Sequence, residues 1–272
     1  MVTTKDGAQR IVLIQTAPVH DEEGKIEQVM EISTDITQIR ELQDHLASLG
    51  LMLGSMSHGV KGLLTSLDGG VYKVEAGFKR DDPNRLREGW AIVKDKIGRI
   101  RKMVLDILYY AKSREAETAP VDLNGFAKDL AAIIEPKAAL RKVELRLEAE
   151  DNLGEMDLDE TAMSAAMVNF LENAVDACAE DDTKPVHHIV LSVTADSRTV
   201  RFEVKDDGMG MDQETREKMF TLFFSSKGSR GTGLGLFISS QVIERHGGVI
   251  DVRSEPGEGT SIIVTVPRAR AA

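Results

Sequence analysis

Two long stretches without proline dominate the first half of the sequence, residues 19–82 and 84–119. Because proline disrupts the interior of a helix, both stretches can be helical over most of their length. Their apolar residues alternate at spacings of three and four, which is the pattern of a coiled-coil seam. The seam positions are Ile39, Leu42, Leu46, Leu49, Leu53, Met56, Val60, Leu63 and Leu67, followed by Leu86, Trp90, Val93, Ile97, Ile100, Val104, Ile107 and Ala111. Pro83 lies in the polar segment "GFKRDDPN" between them, so the pattern predicts an antiparallel helical hairpin.

A single hairpin of this kind presents one apolar seam per helix and cannot cover both. Pairing of two chains into a four-helix bundle is the usual solution, so we expect a homodimer. The heptad pattern alone leaves open the alternative of a coiled-coil spacer that carries no chemistry.

Composition limits the classes of protein to consider. The chain has 272 residues, of which 42% are hydrophobic and 29% charged, values typical of a folded globular protein. The sequence contains no run of 18 apolar residues and no basic-then-apolar start, so we expect neither a membrane span nor a secretion signal. A single cysteine, Cys178, fits a reducing compartment and a cytoplasmic location. The net charge of −11 argues against nucleic acid as the main partner.

The flanking segments predict a mixed architecture. Residues 9–19 and 26–34 are expected to form two strands, and "STDIT" supplies capping residues before the first long helix. From Val121 onward, helix-like segments alternate with strand-like runs and hairpins, which indicates an α/β sandwich. The segment "AKSREAETAP" is expected to be an interdomain linker. The predicted fold class is therefore α+β, a long helical hairpin that forms a dimeric four-helix bundle, followed by an α/β sandwich.

Two short segments of the second half carry groups suited to a nucleotide. In "NFLENAVDA", Asn169, Asn173 and Asp176 share one helix face, and amide oxygens are good neutral ligands for Mg²⁺. In "VKDDGMGM", Asp206 ends a predicted strand, and an ionised carboxylate there can accept a hydrogen bond from the exocyclic amine of adenine. Gly208 and Gly210 allow a tight turn or a close approach of backbone. Each motif alone is equally compatible with a polar helix face or an ordinary turn.

Two further segments contain groups that favour phosphate. In "MFTLFFSSKG", aromatic residues that include Phe224 precede Lys227, a point-charge partner for phosphate. In "GSRGTGLGLFI", glycines lie directly before a helix, whose N-terminus attracts anions. The segment lacks the G-x-x-x-x-G-K-[ST] spacing of a P-loop. The residues of this loop that we expect at the phosphates are Gly231, Thr232, Gly233, Leu234 and Gly235.

In this order, the four segments resemble the N, G1, F and G2 boxes of bacterial sensor histidine kinases. The resemblance covers about Val121 to Pro267 and includes the closing hairpin "HGGVIDVRSEPGEGTSIIVTVP". It implies a Bergerat-type (GHKL) ATP-binding fold, with Asn173 on Mg²⁺, Asp206 on adenine and residues 213–232 as a lid. Asp207 departs from the family, which usually has asparagine there. The implied division is a PAS-like sensor remnant at 1–37, a dimerisation and histidine-phosphotransfer hairpin at 38–118 and a catalytic ATP-binding domain at 119–272.

The resemblance also bears on the reaction. ATPases that share this nucleotide fold carry a glutamate at the position of Asn169, and an amide is a far poorer general base than a carboxylate. Asn169 therefore favours phosphoryl transfer over hydrolysis. Glu172 is expected to project away from the site into solvent.

His58 is the expected phosphoacceptor, at heptad position f, farthest from the seam. The phosphoryl group would then pass to an aspartate of a response regulator. The surroundings depart from the family pattern at three positions, where Gly59 replaces an acid, Gly62 a threonine or asparagine, and Leu63 a proline. We therefore expect autophosphorylation without an adjacent carboxylate and weak phosphatase activity. The glycines of this helix either permit a hinge or permit close helix approach.

Two alternatives remain open at the level of sequence. A GHKL-type ATPase or serine kinase would use the same nucleotide fold. A degenerate kinase would bind ATP and act as a dimeric scaffold or phosphotransfer module without catalysis.

Overall fold

The computed structural model describes residues 2–3, 9–111, 117–226, 231 and 233–268. The helices are α1 (Thr37–Arg80), α2 (Pro83–Ala111), α3 (Leu123–Leu140), α4 (Glu160–Ala179), α5 (Gln213–Lys218) and α6 (Gly235–Arg245). The strands are β1 (Val2–Thr3), β2 (Gln9–Arg10), β3 (Val12–His20), β4 (Ile26–Asp35), β5 (Ala119–Asp122), β6 (Val143–Ala149), β7 (Glu155–Leu158), β8 (His187–Ala195), β9 (Thr199–Asp206), β10 (Val249–Glu255) and β11 (Gly259–Pro267). The chain divides into two compact units, residues 1–58 and 59–272.

The first unit contains the predicted strand pair and the start of α1. β3 and β4 form an antiparallel hairpin with a register shift at Val19 and His20. The carboxylate of Asp35 accepts hydrogen bonds from the backbone N–H of Thr37 at 3.0 Å and from its hydroxyl at 2.7 Å. These bonds lower the pKa of Asp35 to about 2. The capping role predicted for "STDIT" is confirmed.

The turn between the two long helices is confirmed at the predicted place. Asp82 accepts hydrogen bonds from the backbone N–H groups of Asn84 and Arg85, both at 3.1 Å, and so caps α2. Pro83 is the first residue of α2, where a missing N–H costs nothing.

Glycines permit close packing of the helical hairpin within the second unit. A Cβ placed on Gly89 of α2 would lie 2.7 Å from the backbone nitrogen of Val74 on α1. A Cβ on Gly70 would lie 2.9 Å from the Ile92 side chain. By contrast, a Cβ on Gly69 would meet no atom of the described residues within 4 Å. Some of these glycines therefore serve helix packing, and others do not.

The seam of the hairpin is only partly covered within one chain. Leu63 and Val93 are buried, whereas Trp90 is 60% exposed, and Ile97 and Val104 are also exposed. The exposed apolar positions on α2 are seven residues apart, as a heptad seam requires.

The second half of the chain forms a five-stranded sheet in the order β10-β11-β9-β8-β6. β6 and β8 are parallel, and the other neighbours are antiparallel. Alternate residues of β8 are buried, including Ile189, Leu191 and Val193. These side chains share a core with the buried faces of α3, α4 and α6. The predicted sandwich of sheet and helices is confirmed.

The segment expected to be a linker contains part of a strand. Residues 119–122 form β5, which pairs with β7 in a separate two-stranded sheet, so the linker prediction was wrong for this part of "AKSREAETAP". The strand forms because Val121 enters the hydrophobic core. Residues 112–116 lie outside the described part of the chain.

Within the described residues, none of the helices combines the length and apolar character needed to cross a membrane.

Candidate functional site

Helix α4 brings three predicted site residues to one cleft. Its buried side includes Met163, Met167 and Phe170, which belong to the core. Asn169, Asn173 and Asp176 line the cleft, as their spacing predicted. We call this the central cleft; its other described lining residues are Arg99, Glu172, Met211, Thr215, Met219, Phe224, Ser225, Ser226, Gly231, Gly233, Gly235 and Leu236.

The amide of Asn169 is held by the first turn of α6. Its Nδ2 donates to Ser239 Oγ at 3.1 Å, and that hydroxyl donates to the Gly235 carbonyl at 2.9 Å. A Cβ on Gly235 would lie 2.6 Å from Asn169 Oδ1. Glycine at position 235 therefore allows α6 to begin directly beside α4.

Glu172 does not point away from the site, and that part of the expectation was wrong, although its side chain stays 34% exposed. It lines the central cleft, and its carboxylate lies 3.3 Å from Lys137 Nζ. Lys137 also lies 3.7 Å from the Asp176 carboxylate. Helix α3 places this lysine beside α4, so two neighbouring faces of α4 contribute to the cleft rather than one.

The glycine-rich loop and the aromatic segment meet at the other side of the cleft. The Phe223 N–H donates to the Gly233 carbonyl at 2.9 Å, and Phe224 lines the cleft. Gly233 has a φ of 65°, and a Cβ there would lie 2.3 Å from the Phe223 backbone. Leu234 is fully buried and precedes α6. Lys227 and Thr232 lie outside the described residues, so their predicted contacts stay predictions.

Asp206 is buried at the end of β9 and is 5% exposed. Its Oδ1 accepts a hydrogen bond from the Gly208 N–H at 3.0 Å. Burial, together with the neighbouring negative charge of Asp207, raises the pKa of Asp206 to about 6, against backbone hydrogen bonds that lower it. Asp206, Gly208 and Gly210 are not among the described lining residues of the central cleft.

The glycines after Asp206 are required by the packing of the protein itself. A Cβ on Gly208 would lie 2.7 Å from the backbone of Ala177 in α4. Gly210 has a φ of 66°, and a Cβ there would lie 2.0 Å from the Glu255 carbonyl oxygen. The loop is thereby fixed between α4 and the β10–β11 turn.

Asp207, the departure from the family pattern, is held by several donors. Its Oδ1 accepts from the His188 N–H at 2.8 Å and lies 3.0 Å from His187 Nδ1, while its Oδ2 lies 3.3 Å from Lys184 Nζ. The pKa of Asp207 falls to about 2, since these hydrogen bonds outweigh the opposing effect of partial burial.

Cys178 lies beside His187 and Asp207, and their ligand atoms are within 4.8 Å of one another. Burial raises the pKa of the Cys178 thiol to about 12, so the thiolate that a metal needs is strongly disfavoured. Both ring nitrogens of His187 also face oxygen acceptors. The arrangement is that of a hydrogen-bonded cluster rather than a metal centre.

Sequence reasoning missed several lining residues. Met211, Met219 and Leu236 form apolar walls, and Arg99 reaches the cleft from α2, where its Nε donates to Asp95 at 3.1 Å. The apolar residues lie next to the recognised motifs and could have been included on that basis. Arg99 lies far from the motifs in sequence and gave no signal.

His58 lies within α1, as predicted, and its side chain is outside the described part of the structure. Around it, a Cβ on Gly59 would lie 3.1 Å from Met103 Cε, whereas one on Gly62 would meet no described atom within 4 Å. Leu63, in the place of the family's proline, is buried.

The donor set of the central cleft fits a magnesium nucleotide. Amide and carboxylate oxygens of Asn169, Asn173 and Asp176 are hard ligands of the kind that Mg²⁺ prefers. Gly233 and Gly235 line the cleft at the start of α6, where the N-terminus of the helix favours an anion. Asp206 offers a further acceptor at the end of β9.

Comparison with known proteins agrees with this geometry. Residues 158–270 match the family model described as histidine kinase-, DNA gyrase B- and HSP90-like ATPase. The matched residues contain all four recognised motifs and have the GHKL fold.

Over a longer range, the chain is similar to sensor histidine kinases. It is 27% identical over 260 residues to the signal transduction histidine-protein kinase AtoS of Escherichia coli K12, covering 93% of this chain and 41% of AtoS. It is 28% identical over 228 residues to the sensor histidine kinase ZraS of the same strain, covering 83% of this chain and 47% of ZraS. The chain thus spans less than half the length of these relatives.

Solved structures extend the agreement to the fold. Full-length ShkA in complex with AMPPNP matches with a TM-score of 0.58 and 27% identity, covering 70% of this chain and 40% of ShkA. Histidine kinase ThkA, solved with the response regulator protein TrrA, matches with a TM-score of 0.69 over 94% of this chain and 75% of ThkA. At 23% identity, the ThkA match shows the fold alone.

Proposed function

We propose that this chain is an ATP-dependent protein histidine kinase that phosphorylates itself on His58. The phosphoryl group then passes to an aspartate of a response regulator. In this proposal, residues 1–37 are the remnant of a PAS-like sensor domain, 38–118 the dimerisation and phosphotransfer hairpin, and 119–272 the catalytic ATP-binding domain. We assign the chain to the cytoplasm.

The residues that line the central cleft are the main support for this proposal. Asn169 and Asn173 on α4 lie beside Gly233 and Gly235 at the start of α6. This places neutral metal ligands next to an anion-binding helix start, within a domain whose family binds ATP.

Each motif has a role in the proposed nucleotide site. Asn173 ligates Mg²⁺, with Asn169 and Asp176 beside it. Asp206 accepts from the adenine amine, and Gly208 and Gly210 hold its loop. The phosphates lie against Lys227 and the loop of residues 231–235, beneath a lid formed by residues 213–232 that includes Phe224.

Phosphoryl transfer requires little covalent chemistry from the protein. A nitrogen of the His58 imidazole forms a bond to the γ-phosphorus as the bond from that phosphorus to the β,γ-bridging oxygen breaks, and ADP leaves. Bound Mg²⁺ neutralises charge on the phosphates. Asn169 holds its amide toward Ser239 and supplies no carboxylate to activate water, which favours transfer over hydrolysis.

We propose two protein partners. A second copy covers the exposed seam residues Trp90, Ile97 and Val104. A response regulator receives the phosphoryl group, by analogy with the complex of ThkA with TrrA.

Labelling tests the reaction class. Purified chain is incubated with ATP labelled at the γ-phosphate, with His58→Ala as the comparison. The proposal predicts acid-labile label in the wild type and none in the variant. Acid-stable label would favour a serine kinase. Release of labelled phosphate without labelled protein would favour an ATPase. Nucleotide binding without either product would favour a non-catalytic scaffold.

A further inference from the structure

We infer that His187 is a positioning residue for adenine recognition, whose doubly protonated ring balances the Asp207 carboxylate and so keeps the adjacent Asp206 ionised. The inference rests on the proposed nucleotide site. It assigns a role to a buried histidine that belongs to none of the four motifs.

The hydrogen-bond geometry of the His187 ring requires two donors. The side chain is nearly buried, at 6% exposure. Nε2 lies 2.8 Å from the Asp181 carbonyl oxygen, while Nδ1 lies 3.1 Å from the Asp207 carbonyl oxygen and 3.0 Å from Asp207 Oδ1. Carbonyl and carboxylate oxygens only accept, so each nitrogen is satisfied only when it carries a proton. The ring is therefore best accommodated as an imidazolium.

The charges around the ring support the same protonation state. Burial works to lower the pKa of His187, but hydrogen bonds to the Asp181 carbonyl and to Asp207 outweigh it and raise the pKa above 6.5. The groups that face this cluster are Asp181 and Lys184 from the α4–β8 segment, Cys178 from α4, Glu144 from β6, His188 from β8, and Asp206 and Asp207 at the end of β9. Of these, the Cys178 thiol stays neutral because its pKa lies near 12.

The consequence for Asp206 follows from the chemistry of adenine. The exocyclic amine of adenine donates hydrogen bonds, and only an ionised carboxylate accepts at both of its oxygens. The Asp207 charge disfavours ionisation of Asp206, and the His187 charge favours it. Asparagine in place of Asp207 would need no such partner. In this chain, the acidic residue and the buried histidine act as a pair.

Titration of nucleotide binding tests this role. The dissociation constant of ADP is measured by calorimetry between about pH 5.5 and about pH 8 for the wild type and His187→Gln. Glutamine retains a donor but not the charge. We expect the ratio of dissociation constants, variant over wild type, to be about threefold near pH 5.5 and to approach one near pH 8. Taking the ratio at each pH removes the titration of ADP itself.

His188→Gln is the matched control, because its exposed ring faces the same Asp207 carboxylate from solvent. We expect its ratio to stay near one at every pH. A His187→Gln ratio that is constant with pH would indicate a purely structural role and overturn the inference.

A second variant keeps the inference testable if His187→Gln does not fold. The double variant His187→Gln/Asp207→Asn removes both charges of the pair together, so the pH profile of its ADP binding should stay near that of the wild type. A shift of that profile to lower pH would show that His187 does not offset the Asp207 charge and would overturn the inference. Absence of ADP binding by the wild type at every pH would contradict the proposed nucleotide site itself, which separates the two failures.

Discussion

At the scale of single residues, the ionised, buried carboxylate of Asp206 lowers the stability of the folded chain. Its pKa in the folded chain is about 6, above the ordinary value of 3.8, so the folded state binds a proton more tightly than the unfolded state. Stability therefore falls as pH rises from about 4 to about 6 and stays reduced above that window. A buried carboxylate that lowers stability is expected at a position where the side chain is needed for ligand binding.

Asp206→Asn should separate the two effects. Because an amide carries no buried charge, we expect the free energy of unfolding at pH 8 to rise by about 3 kcal/mol, measured by urea denaturation. ADP binding should be lost, since the amide cannot offer two acceptors to adenine. Retained ADP affinity in a folded variant would contradict the role of Asp206.

Gly59 bears on how His58 is activated. The family commonly has an acid at this position, and we predict that the wild type phosphorylates His58 without it. Gly59→Glu should change the initial rate of labelling by no more than about tenfold, because transfer depends mainly on geometry and on charge neutralisation. An inert wild type and an active Gly59→Glu variant would show that the missing carboxylate matters.

At the scale of elements, the glycines of α1 differ from one another although the sequence treats them alike. A Cβ on Gly69 would enter space that the described residues leave open, whereas one on Gly70 would lie 2.9 Å from Ile92 on α2 and 3.3 Å from the Gly89 carbonyl. Alanine substitutions at these two neighbouring positions therefore differ mainly in their contacts with α2, because both replace a glycine in the same helix.

Gly69→Ala should therefore stabilise the chain by about 1 kcal/mol, and Gly70→Ala should destabilise it by about 1–3 kcal/mol. Urea unfolding followed by circular dichroism measures both. Equal effects of the two substitutions would contradict the helix packing described above.

The long elements were predictable from the sequence because their signals are local and periodic. The heptads and Pro83 defined the hairpin, and alternating apolar residues defined β8 and β9. β5 was missed because it has four residues and pairs with β7, more than 30 positions away.

The same limit applies to the site, because contacts between distant segments are not visible in the sequence. Asn169, Asn173 and Asp176 were predicted from helical spacing, whereas Glu172 also lines the cleft and lies beside Lys137 of α3.

At the scale of the whole molecule, the uncovered seam of α2 predicts self-association. Sedimentation equilibrium should give twice the chain mass of 29.8 kDa. Ile97→Glu places a charge in the seam and should weaken the dimer by about tenfold or more, because a buried unpaired charge is costly. Lys94→Glu, at an exposed position outside the seam, is the matched control. A wild-type mass of one chain at micromolar concentration would contradict the dimer.

We propose above that the nucleotide site within residues 158–270 serves His58. Tandem mass spectrometry of peptides kept at neutral pH, after incubation of the chain with ATP and Mg²⁺, locates the phosphoryl group directly. We expect a phosphoryl group on His58 that is absent from an Asn173→Ala sample treated in the same way. A phosphoryl group on Ser55, Ser57 or Thr65 instead, or an unmodified His58 in a chain that binds ATP, would contradict it.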